Sequence, residues 1–175
     1  KRQPRAYEVN GFVEGRYERL WLRTGAALPS GHALDRGTVG VELGGKYRKD
    51  MLGLYARVRG GAAIDQNDST SDFQWLEGGL RASPSEGLSF DVGKQVQRWG
   101  KGYAWNPVAF FERPKDPNDP QQSREGFVMA SADAVTSRPG TLAAVGFTPV
   151  VLPVSSSVND DYGAAGHTNL GAKLY

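Results

Sequence analysis

"TVGVELGGKYRKDMLGLYARVRG", residues 38–60, decides the fold. Val39, Val41, Leu43, Gly45 and Tyr47 share one parity, and Thr38, Gly40, Glu42, Gly44, Lys46 and Arg48 share the other. Successive side chains of a strand point to opposite faces, so this period of two describes a strand with one apolar face. Lys49-Asp50 then supplies a tight turn. Beyond it Leu52, Leu54, Ala56 and Val58 take one face, while Gly53, Arg57 and Arg59, with Tyr55 among them, take the other. The stretch is a β-hairpin with one apolar face and one charged, glycine-rich face.

The same pattern recurs on both sides. Tyr7, Val9, Val13 and Tyr17 alternate with Glu8, Asn10, Glu14, Arg16 and Glu18, and the phase breaks near Arg19, where a bulge is expected. Strands are expected over 73–82, 88–98, 127–135, 141–150 and 167–175, about eight in all. Short connections fall near 49–50, 83–87 and 137–140, and long ones at 25–37, 62–72, 99–126 and 151–167. Short and long alternate, which puts the long loops on one rim of an up-and-down meander and the tight turns on the other.

The composition narrows the class. The 175 residues are enough for one domain, expected to span the whole of 1–175. With 21 basic and 19 acidic residues spread along the chain, no basic run forms a nucleic-acid surface, and no nucleic-acid partner is expected. There is no cysteine, which excludes disulfides and thiolate metal sites and fits an oxidising compartment. No apolar run is long enough for a transmembrane helix. The chain begins at Lys1 without methionine, as a mature form or a fragment would.

Two all-β architectures share this alternation. A soluble barrel points its apolar face inward. An outer-membrane barrel points it at lipid and lines its lumen with polar side chains. Three features favour the membrane form. The polar face mixes charges of both signs with glycine, which suits a crowded, wet lumen. Short turns opposite long loops match the periplasmic and extracellular ends of such barrels. Aromatics sit near strand ends, at Tyr7, Tyr17, Trp21, Tyr47, Phe73, Trp75, Trp99 and Tyr175, as interfacial girdles require. The expected fold is therefore an all-β, antiparallel up-and-down transmembrane β-barrel, with these eight or so strands forming part of a larger barrel.

"GKQVQRWGKGYAWNPVAFFERPKDPNDP" (93–120) resembles a segment of Gram-negative outer-membrane β-barrels of the porin and alginate-export type, in which a strand ending in Arg-Trp-Gly enters a loop with Asn-Pro and Pro-Lys-Asp-Pro elements. "HTNLGAKLY" (167–175) is similar to the start of an internal strand of such barrels. The resemblance implies an outer-membrane location and a channel or export function, and it carries no catalytic residue. One departure is informative. Asn169, Gly171 and Lys173 occupy the positions that alternate with Tyr175, a poor terminal strand, so the barrel is expected to continue beyond Tyr175, with a complete eight-stranded barrel of atypical end as the alternative.

Pore-lining candidates are the charged residues of the polar face: Glu14, Arg16, Glu42, Lys46, Arg57, Arg59, Glu77 and Arg81. The 99–126 loop divides in two. Tyr103, Trp105, Phe110 and Phe111 can anchor its first half to the wall. Arg113, Lys115, Asp116 and Asp119 stand among prolines in the second, and a stiff charged insert folded inward would act as a constriction. Other motifs weaken on inspection. "DQNDSTSD" (65–72) lacks the glycine and glutamate of a calcium loop and reads as a solvated loop, as does "NDD" (159–161). "GKGYAW" lacks the phosphate-loop spacing. His32 and His167 lie in loops with no nucleophile elbow beside them. No enzyme, metal or cofactor is expected. The expected partners are outer-membrane lipid, small solutes or an exported polymer, and a protein in a larger complex. A soluble ligand-binding barrel and a scaffold that sheathes a partner protein stay open as alternatives.

Overall fold

A computed structural model describes residues 6–21, 33–66, 68–99, 110–114, 122–137 and 144–175. All eight expected strands form: β1 (Tyr7–Trp21), β2 (Ala33–Lys49), β3 (Leu52–Asp65), β4 (Ser69–Ser85), β5 (Leu88–Gln95), β6 (Phe127–Ser137), β7 (Ala144–Pro153) and β8 (Thr168–Leu174). They build one open antiparallel sheet in sequence order, each strand beside its neighbours in the chain. The hairpin of 38–60 becomes β2 and β3, and Asp50 closes its turn with a positive φ of 52°, a left-handed conformation that Asp tolerates well.

Strand ends differ from expectation where polar side chains extend the ladder. β2 starts at Ala33, inside the expected 25–37 loop. Asp35 accepts a hydrogen bond from the Tyr17 hydroxyl at 2.8 Å and faces Arg19 at 3.3 Å, which holds the β1–β2 pairing together beyond the apolar run. The expected long loop at 62–72 is a tight connection. The Asp68 amide donates to Asp65 Oδ1 at 2.8 Å and the Asp65 amide donates to the Asp68 carbonyl at 3.0 Å, so the acids fold the chain back on itself instead of being solvated along a loop. β1 runs unbroken through Arg19, and a register shift falls between Ala82 and Ser85, beside Pro84, which has no amide to donate.

The chain divides into two compact units. One comprises the residues up to Glu8, 45–56 and 76–175. Its registers fix both faces of the sheet, because directly paired residues share a face. Leu80 pairs with Val92, Val92 with Ala130, Ala130 with Val151 and Val151 with Leu170, giving an apolar row across β4 to β8. Leu80, Val92, Val151 and Leu170 are 41–75 % exposed. One residue along, Arg81 pairs with Asp91, Asp91 with Ser131, Ser131 with Val150 and Val150 with Gly171. In that row Asp91 is 7 % exposed and Val150 1 %. The sheet therefore encloses a face that mixes Asp91 with apolar side chains and bares an apolar row, whereas a water-soluble sheet with one solvated side shows polar side chains there.

The apolar core of this unit lies on the hidden face. Phe127, Met129, Val150, Leu152 and Val154 come from β6, β7 and the residue after β7, and Phe111 comes from the long β5–β6 connection, with Trp99 and Tyr162 packed against them. β8 follows the same alternation. Leu170, Ala172 and Leu174 share the apolar row's side, while Asn169, Gly171 and Lys173 share the other, so the strand that looked poor at its end is an ordinary two-faced strand.

The other unit contains 9–44 and 57–75. Val9, Val13, Val39, Val41 and Leu43 are all exposed there, while Glu42 and Arg59 are buried. Both units thus carry the same inversion.

Candidate functional site

The charges of the hidden face pair with one another. In the 9–44 and 57–75 unit, Arg59 Nη2 donates to Glu14 Oε1 at 2.5 Å, and Arg57 Nε lies 3.7 Å from Glu42 Oε1. Gly40 makes room for the first pair, since a Cβ there would stand 2.9 Å from Glu14 Oε1. Four of the expected pore-lining residues, Glu14, Glu42, Arg57 and Arg59, therefore stand in two ion pairs. Arg16 lies 4.0 Å from Glu18, both about half exposed, a geometry that contributes little. Lys46 is exposed, and Glu77 is half-buried on β4.

In the other unit Arg81 belongs to a triad centred on Asp91. Arg81 Nε and Nη2 donate to Asp91 Oδ2 at 2.9 and 2.5 Å, and the Tyr55 hydroxyl donates to Asp91 Oδ1 at 2.6 Å. The guanidinium carbon sits 5.8 Å from the Tyr55 ring centroid. Asp91 is almost enclosed, while the Arg81 side chain is 52 % exposed, so the charge that meets the surroundings here is the arginine's. Further along the same face the Thr148 hydroxyl donates to Asp133 Oδ1 at 2.7 Å and the Tyr175 hydroxyl donates to the same atom at 3.0 Å. Gln95 donates to the Met129 carbonyl at 3.2 Å.

The described parts of the β5–β6 connection pack on this hidden face. Phe111 covers Gly171, where a Cβ would stand 2.6 Å from Phe111 Cζ. It meets Trp99 edge-on at 5.2 Å and Tyr162 in a stack at 6.0 Å. Burial among these rings pushes the Tyr162 phenol up from its ordinary value. The expected wall anchor is thus Phe111; Phe110 is exposed, and Tyr103 and Trp105 lie outside the described residues. Trp99 belongs to this cluster and the Tyr175 hydroxyl bonds to Asp133, whereas Tyr7, Tyr17, Trp21, Tyr47, Phe73 and Trp75 are exposed.

Arg113 is engaged by its neighbours. It pairs with Asp161, lies 4.0 Å from Glu125 and sits 4.3 Å above the Phe127 ring. Glu125 also pairs with Lys94, and Arg124 pairs with Glu112. Lys115, Asp116 and Asp119 lie outside the described residues. The segment 154–167 is drawn into the same assembly by Asn159, which sequence reasoning assigned to a solvated loop. Asn159 is 7 % exposed with φ 53°. Its amide nitrogen donates to the Val128 and Pro153 carbonyls, each at 2.7 Å, and its oxygen accepts from the Val128 amide at 2.9 Å. A short polar residue followed by two acids signals a turn in any sequence, and only the fold shows that this one is buried.

Asp91, Tyr55, Asp133 and Asn159 are absent from the sequence-based candidates. Asp91 has the right parity on its strand, so alternation reaches it, but its pairing with Arg81 depends on register. The described residues include no cluster of three or more His, Cys, Asp or Glu side chains placed to hold a metal ion. No family model, no curated protein and no solved structure matches this chain.

Proposed function

We propose that the chain forms part of the wall of an outer-membrane β-barrel in a Gram-negative bacterium, a channel or export pore that passes small solutes or an exported polymer along a charged lumen. The observation that carries this reading is the inversion of the sheet: exposed Leu80, Val92, Val151 and Leu170 on one face, enclosed Asp91 and Val150 on the other. An exposed apolar face of this extent needs a cover, and lipid is the cover that every strand can share. β1 to β4 run 14–17 residues, more than the roughly 9–11 that cross a bilayer. The lumen then carries Glu14, Glu42, Arg57, Arg59 and Arg81, and the β5–β6 loop narrows it. No cofactor is required, because selection is by size and charge.

The test is conductance of the full-length protein in planar bilayers. Discrete channel openings with an ion selectivity that changes in Arg81→Glu support the reading, and a folded, inserted protein that never conducts overturns it. The packing of Phe111, Trp99 and Tyr162 on the hidden face favours a second reading, a barrel whose lumen is filled and which docks a partner protein. Insertion without conductance, together with stoichiometric copurification of a partner, distinguishes it.

A further inference from the structure

The apolar face carries a recess at the β2–β3 turn. Tyr47, Leu52, Leu54 and Leu80 form its walls, Lys49 and Asp50 stand beside them, and it holds about 480 Å³. The four wall residues are 44–57 % exposed. Tyr47 and Lys49 are two residues apart on β2 and so share a face. Leu80 belongs to the exposed apolar row, so the recess is a dent in the surface assigned to lipid. Its size falls within the roughly 300–1,000 Å³ of small-molecule sites.

We propose that this recess binds one phospholipid with a zwitterionic, amine-bearing head group. This rests on the membrane reading above. The acyl chain lies against Leu52, Leu54 and Leu80, the Lys49 ammonium meets the phosphate, and the Asp50 carboxylate meets the head-group amine. Adjacent charges of opposite sign match a zwitterion, whereas a purely anionic head group would set its charge beside Asp50. Tyr47 adds the amphipathic ring that favours the interfacial level. The turn lies at the end of the sheet that also carries the short β4–β5 turn, opposite the long β5–β6 connection, and in such barrels the end away from the long loops is periplasmic, so the lipid comes from the leaflet on that side. A protein segment is the weaker occupant, because the walls offer side chains of β2, β3 and β4 and no free strand edge for its backbone.

The full-length protein, delipidated in detergent, is titrated with phosphatidylethanolamine or phosphatidylglycerol of matched chains and followed by native mass spectrometry. The ethanolamine lipid is retained preferentially, and Lys49→Ala and Asp50→Asn each weaken its retention by about three- to tenfold. Asn accepts the left-handed backbone at position 50, so that variant changes the charge and spares the turn. A photoreactive acyl chain on the same lipid in liposomes labels residues 51–54. Equal retention of the two lipids, unchanged retention in both variants, or labelling spread over the whole apolar face overturns the site while leaving the membrane reading intact. A folded protein that does not enter liposomes at all overturns both.

Discussion

Arg81 and Asp91 face each other across the β4–β5 pairing, with Nη2 2.5 Å from Oδ2, while one residue away Leu80 and Val92 pair on the opposite, exposed face. These two adjacent pairs show the two faces of the sheet side by side. Asp91 is enclosed on one side while the apolar pair is bared on the other, the arrangement expected of a strand in the proposed hydrocarbon surroundings.

Asp91 holds both Arg81 and Tyr55, so Asp91→Asn leaves the guanidinium without its counter-charge and disturbs three hydrogen bonds. The expected loss is about 1–3 kcal/mol of stability, read as a lower denaturant midpoint in micelles. Tyr55→Phe, which removes only one of the bonds, costs less. Equal midpoints for Asp91→Asn and the parent protein would show that the triad contributes nothing.

Phe111 lies over Gly171 because there is no Cβ beneath the ring. Gly171→Val forces the ring away and is expected to cost about 1–3 kcal/mol. Phe111→Ala removes the ring and costs about 3 kcal/mol. Combined, the two changes are expected to cost less than their sum, since the clash disappears with the ring. Strict additivity would mean that the two residues do not meet.

Asn159 combines a left-handed backbone with hydrogen bonds that close the 154–167 segment onto β6. Asn159→Gly keeps the backbone and loses the bonds, while Asn159→Ala loses the bonds and adds about 1 kcal/mol of backbone cost. Both are expected to expose the segment to protease, Ala more than Gly. An unchanged digestion pattern in both variants contradicts the clamp.

Val92 lies mid-row on the exposed face, so Val92→Arg places a charge where lipid is proposed. The expected cost is about 2–4 kcal/mol if the site is near the bilayer midplane, with reduced insertion into liposomes. A face that met water would accept the arginine at little cost and gain solubility from it.

Much of this fold is legible in the alternation of Val39, Val41 and Leu43 against Gly40, Glu42 and Gly44, because a period of two sets both the strand and its faces. Alternation says nothing about register, so Arg81 and Asp91 are each readable as polar-face residues without being readable as partners. Polar side chains also hide structure. Asp35 reads as a loop residue and extends a strand by accepting from Tyr17; Asp65 and Asp68 read as a solvated loop and make a turn. Asn159 is the strongest case, since its burial depends on β6 and on Pro153 arriving at the right distance from elsewhere in the chain. β8 reads as a weak end from Gly171 and Lys173, which are in phase with Tyr175. The apolar residues, Leu170, Ala172 and Leu174, lie one position out of that phase.

Residues 1–175 contain no cysteine, so single cysteines introduced there, with any others in the full-length protein replaced, report on the two faces of the sheet. Single cysteines at Leu80, Val92 and Leu170 on one face, and at Arg81, Ser131 and Lys173 on the other, can be exposed to a water-soluble thiol reagent in proteoliposomes of the full-length protein. Labelling is expected at Arg81→Cys and Lys173→Cys, slower labelling at Ser131→Cys, and protection at Leu80→Cys, Val92→Cys and Leu170→Cys. Labelling of the Leu80, Val92 and Leu170 positions as fast as Arg81 and Lys173 would contradict the membrane reading.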